Sequence, residues 1–322
     1  MTKYLRPLGS IAILAWLAWR ADWVQIGDSF THMRPELWLA SLSIYLVTQV
    51  VSALRWQVFA QPLGFRQSWL HFTRLYFIGM FFNLFLPTSV GGDVARAWYL
   101  NAGSGRKMAA AVSVFVDRLS GLLLLLVLAL FGSLAYLGSL PAWVLSSVWG
   151  TAGSALLGFL GLLLLKRWLS PFDRARRLVE GIRYFGSRPW LILGTSLLSL
   201  IVQAANVIIV WLLGIAIAAP VPAGYYWILV PMITLLTILP ISVNGMGVRE
   251  GGMVLFLTPL GISEAAAVSL AFLWFSVFTA ASVIGAGVYL VGSLPRPEGR
   301  VHDEPLRSDS DQGRARQLKA AA

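Results

Sequence analysis

Long uncharged apolar segments dominate the hydrophobic pattern of the chain. Residues 119–165, 189–248 and 265–295 contain no Asp, Glu, Lys or Arg, and each exceeds the roughly 20 residues that cross a bilayer as a helix. The short alternating segments of an outer-membrane barrel are missing from this pattern. It predicts an all-α, polytopic helical membrane protein with about six full spans, near residues 7–21, 37–59, 119–138, 143–165, 190–217 and 267–292.

The positive charges between the apolar segments predict the orientation. Residues 166–188 contain seven basic residues against two acidic ones, and basic loops stay in the cytoplasm. The connections 139–142 and 218–224 carry no charge, as expected on the far side. We therefore expect a multi-pass protein of the plasma (inner) membrane whose N- and C-termini both lie in the cytoplasm.

Two further apolar stretches do not fit as simple spans. Residues 75–90 have basic residues on both sides, so the same rule places both of their ends in the cytoplasm. By the same counting, residues 225–258 enter from the outer side and return there. Non-helical backbone is tolerated at membrane depth only where protein or a water-filled cavity covers it. We therefore predict two re-entrant hairpins that enter from opposite faces.

One short pattern occurs in both of these stretches. Residues 86–92 read LPTSVGG and are followed by Arg96, whereas residues 239–245 read LPISVNG and are followed by Arg249; every matched position is 153 residues apart. Paired Gly and Pro interruptions at corresponding places in two halves indicate a transport site in a membrane protein. The pattern therefore predicts an inverted repeat, with Pro87 and Pro240 ending a helix before each break and acting as hinges.

The repeated arginines are the strongest candidates for binding. A charge at bilayer depth costs about 2.5 kcal/mol or more, so an intramembrane arginine suggests a function. Guanidinium groups bind phosphate bidentately, and glycines let backbone N–H groups approach an anion. The predicted substrate-binding residues are Arg96, Arg249, Ser89, Gly91, Gly92, Ser242, Asn244, Gly245 and Gly247.

Each arginine also has a structural interpretation, at a membrane interface or paired with a neighbouring carboxylate. Asp93 and Glu250 are therefore candidate counter-ions, and alternatively proton carriers. The adjacent pair Asp117 and Arg118 opens the span at residue 119 either as an interfacial anchor or as part of a cavity lining. Paired charges are less costly at depth than single ones, which favours the counter-ion role.

Polar residues within the spans add weaker candidates. Arg55 and Trp56 end the second span, where such residues are usual interfacial anchors. Gln49, Ser52 and Arg55 share one helical face, which alternatively forms a polar stripe toward the bundle interior. Gln203 and Asn206 on the fifth span are candidates for the site or, alternatively, for interhelical hydrogen bonds.

The amino-acid composition supports the membrane class and limits the partners we expect. Of 322 residues, 57% are hydrophobic and 12% are charged, about half the usual charged fraction of roughly 25%. The basic residues behind the net charge of +11 lie in the loops. Their excess therefore reflects membrane topology, and we expect no nucleic-acid partner. The chain contains no cysteine, and we expect no metal or cofactor. A transmembrane domain over residues 1–294 would precede a disordered cytoplasmic tail over 295–322.

Several motifs resemble the signature of the lysylphosphatidylglycerol synthase transmembrane-region family, whose members are also called flippase-like membrane proteins. The resemblance runs from about residue 55 to residue 290 and is carried most specifically by the block NGMGVREG at 244–251. The supporting motifs are Asn83-x-x-x-Pro87, Gly91-Gly92-Asp93-x-x-Arg96 and Asp117-Arg118-x-x-Gly121. The resemblance implies an inner-membrane protein that moves a lipid between leaflets. We expect no lysyl transfer, because the resemblance covers only the membrane part of the members that carry an aminoacylating domain.

The sequence thus predicts a lipid translocase rather than an enzyme. Its cargo would be a lipid with a phosphate or other polar headgroup, held between the two hairpins, and its partners would be membrane lipids with anionic headgroups. An oligomer and a partner synthase are left open. Two alternatives remain: a membrane enzyme acting on a lipid-linked substrate, and an accessory subunit of a lipid or glycan synthase.

Overall fold

The computed structural model describes residues 14–16, 18–19, 22–85, 91–102, 104–135, 141–169, 188–238 and 242–292. Within these ranges the chain is helical and contains no strand, which confirms the all-α class. Short 3₁₀ turns cover Gln61–Leu63, Ala223–Tyr225 and Thr258–Leu260. The α-helices are α1 (Trp23–Thr31), α2 (Pro35–Ala60), α3 (Trp69–Phe85), α4 (Gly91–Asn101), α5 (Lys107–Ala135), α6 (Ala142–Leu169), α7 (Pro189–Ala216), α8 (Tyr226–Ile238), α9 (Val248–Leu257) and α10 (Glu264–Val291).

Among the described residues, four segments are long and apolar enough to cross a membrane, and they coincide with helices α2, α5, α7 and α10. They correspond to the predicted spans 37–59, 119–138, 190–217 and 267–292. Helix α6 covers the predicted span 143–165, whereas most of 7–21 lies outside the described residues. The multi-pass membrane class is therefore confirmed, and the number of six full spans stays a prediction.

The order of helices repeats along the chain. Helices α2, α3, α4 and α5 recur as α7, α8, α9 and α10, with bounds displaced by 153 to 157 residues. Both copies begin at a proline, Pro35 and Pro189, which suits the first helical position because no N–H is needed there. Contacts between helices repeat too: α3 packs on α10 as α8 packs on α5, and α2 packs on α10 as α7 packs on α5.

Helices α2 and α7, the first of each copy, pack against each other antiparallel. Near the start of α2, the Ser41 hydroxyl donates to the Ile209 carbonyl near the end of α7 at 3.4 Å. Near the end of α2, Arg55 donates to the Ser199 hydroxyl near the start of α7 at 2.9 Å. The two helices, which hold the same place in the order of elements, thus run in opposite directions, whereas the inverted repeat of whole halves stays a prediction.

Helices α3 and α4 form an antiparallel pair, here called hairpin 1. The Gly92 N–H donates to Asn83 Oδ1 at 2.7 Å, and a side chain on Gly92 would collide with the Gly79 carbonyl, so the two helices approach closely. The loops flanking the pair also meet, because Arg106 donates to the Gly64 carbonyl at 3.0 Å. Hairpin 1 thus begins and ends at the same end of the bundle.

Helices α8 and α9 form the matching pair, hairpin 2. The Tyr225 hydroxyl, next to the start of α8, donates to the Phe256 carbonyl near the end of α9 at 2.8 Å. Each hairpin begins where its preceding helix, α2 or α7, ends. Because α2 and α7 are antiparallel, the two hairpins begin at opposite ends of the bundle.

Matched glycines allow hairpins and long helices to pack closely. A Cβ atom on Gly285 of α10 would collide with the Phe77 carbonyl of α3, and one on Gly132 of α5 would lie 3.1 Å from the Trp227 carbonyl of α8. These glycines are 153 residues apart. Small residues at helix interfaces permit the backbone approach on which membrane helix packing depends.

Some predictions fall on residues outside the described ranges. They concern the hinges Pro87 and Pro240, the binding residue Ser89, most of the basic loop 166–188 and the tail 295–322. The transmembrane domain over 1–294 and the tail after it therefore stay predictions.

Candidate functional site

A cavity of about 290 Å³ lies at the centre of the bundle. Helices from both halves line it: α2, α3 and α5 from the first, and α7, α8, α9 and α10 from the second, with the segment 242–247 before α9 contributing Asn244. Three arginines face it, namely Arg55, Arg118 and Arg249. Polar lining at the middle of a membrane bundle is the usual position of a transport site.

Uncharged polar residues on α2 and α7 line the cavity as repeat equivalents. Gln49 matches Gln203 and Ser52 matches Asn206, each 154 residues later. The Gln203 amide donates to the Gly121 carbonyl at 3.3 Å, and the Asn206 amide donates to Gln203 at 3.3 Å. The polar stripe on α2 therefore faces the bundle interior, and Gln203 and Asn206 both line the cavity and form interhelical or local hydrogen bonds.

Arg55 and Trp56 are not interfacial anchors. Trp56 is fully buried and donates to the Ser113 hydroxyl at 3.1 Å. Arg55 is 4% exposed and donates to Asp117 Oδ1 at 2.8 Å. The anchor interpretation failed because a helix-end pattern cannot show that hairpin 1 and α5 cover this end of α2.

Asp117 and Arg118 lie well inside a helix rather than at its start. Helix α5 begins at Lys107, so the two residues are three turns from its N-terminus. The Asp117 side chain is fully buried between Arg55 and Arg96. Arg118 keeps 47% of its side-chain surface accessible, although it lies within the bundle, because it faces the cavity.

Arg96 belongs to a buried charge network behind the cavity wall. Its guanidinium donates to Asp93 Oδ1 at 2.6 Å and lies 3.6 Å from Asp117 Oδ2. Arg118 binds the other face of Asp93 through two hydrogen bonds of 2.7 and 2.9 Å. Three arginines, counting Arg55, thus share two aspartates, and the network keeps one positive charge in excess.

Two aromatic rings hold the Arg96 guanidinium. Its Cζ atom lies 4.4 Å from the ring centre of Tyr76 and 4.9 Å from that of Trp56, a geometry that attracts a cation to the ring face. Arg96 is 2% exposed and is not among the cavity-lining residues. This geometry agrees with the predicted role of Asp93 as a counter-ion. The Arg96 guanidinium itself is not exposed to the cavity, so it does not contact a ligand there.

Arg249, the repeat equivalent of Arg96, has a different environment. Its guanidinium lies over Phe275 at 5.0 Å and over Trp274 at 5.7 Å, but among the described residues it forms no ion pair. Its closest hydrogen-bond acceptor is the Asn244 carbonyl, at 3.4 Å. The buried atoms Arg249 Nη1 and Asn244 Nδ2 have no hydrogen-bond partner in the described structure.

Glu250 is not the partner of Arg249. It is 2% exposed, and its carboxylate accepts from the Gly247 N–H at 2.6 Å. This contact satisfies a free N–H at the start of α9, as a capping box does. A carboxylate at a helix N-terminus is also stabilised by the helix dipole, so the geometry of Glu250 is that of a helix cap.

The glycines of the two patterns shape the hairpins and do not line the cavity. Gly245 and Gly247 have positive φ values of 76° and 84°, and Asn244 has a φ of 53°, so the backbone turns sharply before α9. Gly91 and Gly92 are buried in hairpin 1. Ser242 is buried, and its hydroxyl has no described partner. Of the predicted binding residues that the structure describes, Asn244 and Arg249 alone line the cavity.

Sequence reasoning missed several lining residues. Tyr45 and Tyr76 face the cavity, as do Asn83 and Thr237, and Asn83 entered only as part of a family motif. Comparing whole helices at the repeat offset, and not only the two short patterns, is the signal that could have found these residues. Among the described residues, no group of His, Asp or Glu is arranged to hold a metal ion.

The fold and site define a class: a multi-pass helical membrane protein with an internal repeat and a central cationic cavity. A family model described as "Lysylphosphatidylglycerol synthase TM region" matches residues 5–286, and the chain belongs to this family. The family is a membrane domain related to lipid synthesis and flipping. No curated protein matches the chain, and no solved structure matches it.

Proposed function

We propose that the protein is a lipid translocase that moves a lipid with an anionic headgroup between leaflets. The observation that carries the proposal is the central cavity, which is lined by cations and lies between two oppositely directed hairpins. Arg55 and Arg118 face it from the first half, and Arg249 faces it from the second. A concave site with a few convergent charged groups is the usual form of a ligand site.

The charge of the cavity favours an anionic ligand. The network of Arg55, Arg96 and Arg118 keeps one positive charge beyond Asp93 and Asp117, and Arg249 adds a cation without an ion-pair partner among the described residues. Unpaired charges at membrane depth are costly and mark substrate pathways. A phosphate group would neutralise these cations and accept their hydrogen bonds bidentately.

The size of the cavity favours a headgroup rather than a whole lipid. Its volume of about 290 Å³ equals that of about ten water molecules, at roughly 30 Å³ each. That space accommodates a phosphate with a small polar substituent but not acyl chains. In the proposed mechanism the headgroup occupies the cavity while the acyl chains stay in the bilayer.

The arrangement of the hairpins supports alternating access from the two faces. Hairpins 1 and 2 begin at opposite ends of the bundle, as re-entrant elements of an inverted repeat would. In the mechanism we propose, each hairpin closes the cavity toward one face of the membrane, and the hairpins open in turn. Inverted repeats with a midplane site are common among transporters that work in this way.

A transport assay in vesicles tests this function. The purified full chain is reconstituted into liposomes containing a fluorescent phospholipid with an anionic headgroup, and the inner-leaflet pool that reaches the outer leaflet is measured by quenching. We expect Arg249→Gln to lower the initial rate about tenfold or more, which corresponds to about 1.4 kcal/mol of lost transition-state stabilisation. The matched control is Arg74→Gln, because Arg74 is exposed and does not line the cavity.

The other outcomes separate the alternatives. Equal rates for the wild type, Arg249→Gln and empty liposomes would refute transport. Chemical conversion of the labelled lipid, dependent on one carboxylate, would favour the enzyme. Co-purification with a synthase in fixed ratio, unaffected by arginine substitutions, would favour the accessory subunit.

A further inference from the structure

We propose that four charged residues lock hairpin 1 against α5, and that an anion in the cavity favours its release by pairing with one of them, Arg118. The lock consists of Asp93 and Arg96 on α4 with Asp117 and Arg118 on α5. This inference rests on the proposed function and adds how occupancy of the cavity would control one of the two hairpins.

Two ion pairs cross the contact between hairpin 1 and α5. Arg118 of α5 donates two hydrogen bonds, of 2.7 and 2.9 Å, to the carboxylate of Asp93 on α4. In the other direction, Arg96 Nη1 of α4 lies 3.6 Å from Asp117 Oδ2 of α5. Because breaking a buried ion pair leaves charges without partners, which is costly, these pairs oppose a movement of hairpin 1 away from α5.

The corresponding contact of hairpin 2 with α10 has no such lock. At the repeat offset of 153 residues, three of the charged residues are replaced by apolar ones: Met246 for Asp93, Leu270 for Asp117 and Ala271 for Arg118. Arg249, which matches Arg96, has no ion-pair partner in the described structure and lies over aromatic rings of α10 instead. The lock is therefore a feature of hairpin 1 that the repeat does not duplicate.

Release of hairpin 1 would divide the network and leave each carboxylate with an arginine. Asp93 Oδ1 keeps Arg96 Nη2, which lies 2.6 Å away on the same helix, and Asp117 Oδ1 keeps the Nε atom of Arg55 on α2, 2.8 Å away. Both of these pairs are neutral. Of the five residues in the network, Arg118 alone loses its partner, so the excess positive charge then lies on Arg118.

An anion in the cavity can pair with this cation. Arg118 lines the cavity and keeps 47% of its side-chain surface accessible, whereas the other three residues of the lock do not line it. Its guanidinium has more N–H donors than the two, Nε and Nη2, that bind Asp93. An anion can therefore reach Arg118 while the hairpin is closed, and it binds more tightly once Asp93 has left. A ligand with that preference shifts the equilibrium toward the released hairpin.

Distances between spin labels test the lock directly. The chain contains no cysteine, so only introduced positions carry a label. Val94→Cys on α4 paired with Leu197→Cys on α7 reports on hairpin 1, and Leu255→Cys on α9 paired with Leu197→Cys reports on hairpin 2; all three side chains are exposed. The full chain is placed in phosphatidylcholine nanodiscs, and pulsed EPR gives the distance distribution of each pair.

Breaking the lock should release hairpin 1 without an anion. We expect Asp93→Asn and Arg118→Gln each to raise the ratio of released to closed hairpin 1 at least about fivefold, and to leave the hairpin 2 distances unchanged. The two substitutions change the charge in opposite directions, so a common effect comes from the lost ion pair. The double variant should have no larger effect than either single one, because all three lack the same pair. Arg74→Gln is the matched control, since Arg74 is an exposed cation of hairpin 1 outside the lock.

The effect of the anion is tested on the labelled chain with its lock intact. Inorganic phosphate, compared with chloride at equal ionic strength, and nanodiscs that contain phosphatidylglycerol should each raise the released fraction of hairpin 1. Neither should do so in Arg118→Gln, which lacks the cation. A rise with phosphatidylglycerol alone would support the release and identify a lipid as the source of the anion.

The remaining outcomes decide against one part or the other. Unchanged distances in both single variants would overturn the lock, and unchanged distances with both anions would overturn its release from the cavity. Where Asp93→Asn does not elute as the wild type does, Arg118→Lys completes the test, because it retains the charge and should keep hairpin 1 closed more often than Arg118→Gln. Anion-dependent release in a protein that moves no lipid would leave this inference standing and refute the translocase; lipid movement with an unresponsive hairpin 1 would do the reverse.

Discussion

The two repeated arginines show how one sequence pattern leads to two different roles. Arg96 and Arg249 each lie against a pair of aromatic rings, so the local packing of the two is alike. The two guanidinium groups differ in their ion-pair partners. Arg96 has carboxylate oxygens at 2.6 and 3.6 Å, whereas Arg249 has none among its described neighbours. We therefore expect the first arginine to stabilise the fold and, under the proposed function, the second to bind the ligand.

Removing a carboxylate from the network should destabilise the protein strongly. Asp117→Asn would leave the buried Arg55 without an ion-pair partner in the described structure and Arg96 with Asp93 alone, and breaking a buried ion pair costs about 3–5 kcal/mol. We expect a clear fall in unfolding midpoint, measured by thermal denaturation in detergent. The control is Asp28→Asn on α1, whose side chain is 68% exposed and whose loss should cost under about 0.5 kcal/mol. Equal midpoints for the two variants would contradict the network.

Removing Arg249 should not destabilise the protein. Arg249→Gln deletes a buried cation without an ion-pair partner in the described structure, and relieving such a charge is neutral or stabilising. We expect an unfolding midpoint at or above that of the wild type, in the same measurement, together with the loss of headgroup binding. A midpoint as low as that of Asp117→Asn would show that Arg249 serves the fold.

At the scale of the helices, close packing depends on a few glycines. Gly285 lets α10 approach α3, and Gly132 lets α5 approach α8, at matched positions of the repeat. Gly287, one half-turn beyond Gly285 on α10, has no atom near the place of an added Cβ. The same residue type therefore has two roles within three positions of one helix.

This difference predicts opposite effects of alanine. Gly285→Ala would force α10 away from the Phe77 carbonyl and should cost about 1–3 kcal/mol, as overpacking does. Gly287→Ala meets nothing and should stabilise by up to about 1 kcal/mol through helix propensity. The measurement is the unfolding midpoint of each variant. A Gly285→Ala protein as stable as Gly287→Ala would show that α3 and α10 are not in contact.

The long helices could largely be predicted from the sequence, but the contacts within the candidate site could not. Apolar length predicted the helices α2, α5, α7 and α10. Periodicity on α2 predicted that Gln49 and Ser52 share a face. It could not reveal that Arg55 is covered or that Asp93 accepts from both Arg96 and Arg118, because these contacts join residues up to 62 positions apart and depend on how the helices pack.

For the whole molecule, the main feature is the antiparallel pairing of α2 and α7, which supports the predicted inverted repeat. The hydrogen bonds between α2 and α7 make the repeat equivalents antiparallel, so each hairpin begins at its own end of the bundle. In the orientation expected from the basic loops, hairpin 1 begins on the cytoplasmic side and hairpin 2 on the outer side. The chain contains no cysteine, so single introduced cysteines report their location without background.

Cysteine labelling should therefore separate the two hairpin starts. Ser68 precedes α3, Ala223 precedes α8, and both are exposed. In sealed right-side-out vesicles, we expect a membrane-impermeant maleimide to label Ala223→Cys at once and Ser68→Cys only after permeabilisation. The unmodified chain is the control and should stay unlabelled. Labelling of both positions from one side would refute the inverted arrangement.

The guanidinium of Arg249, which has no ion-pair partner among the described residues, would also make such a transporter sensitive to voltage. An empty cavity is more positive than one that holds an anionic headgroup, because the phosphate cancels a charge. Each elementary charge that crosses the membrane changes the free energy by about 2.3 kcal/mol per 100 mV. A membrane potential would therefore act mainly on the return of the empty protein, and it would draw the negatively charged lipid toward the positive face without any nucleotide hydrolysis.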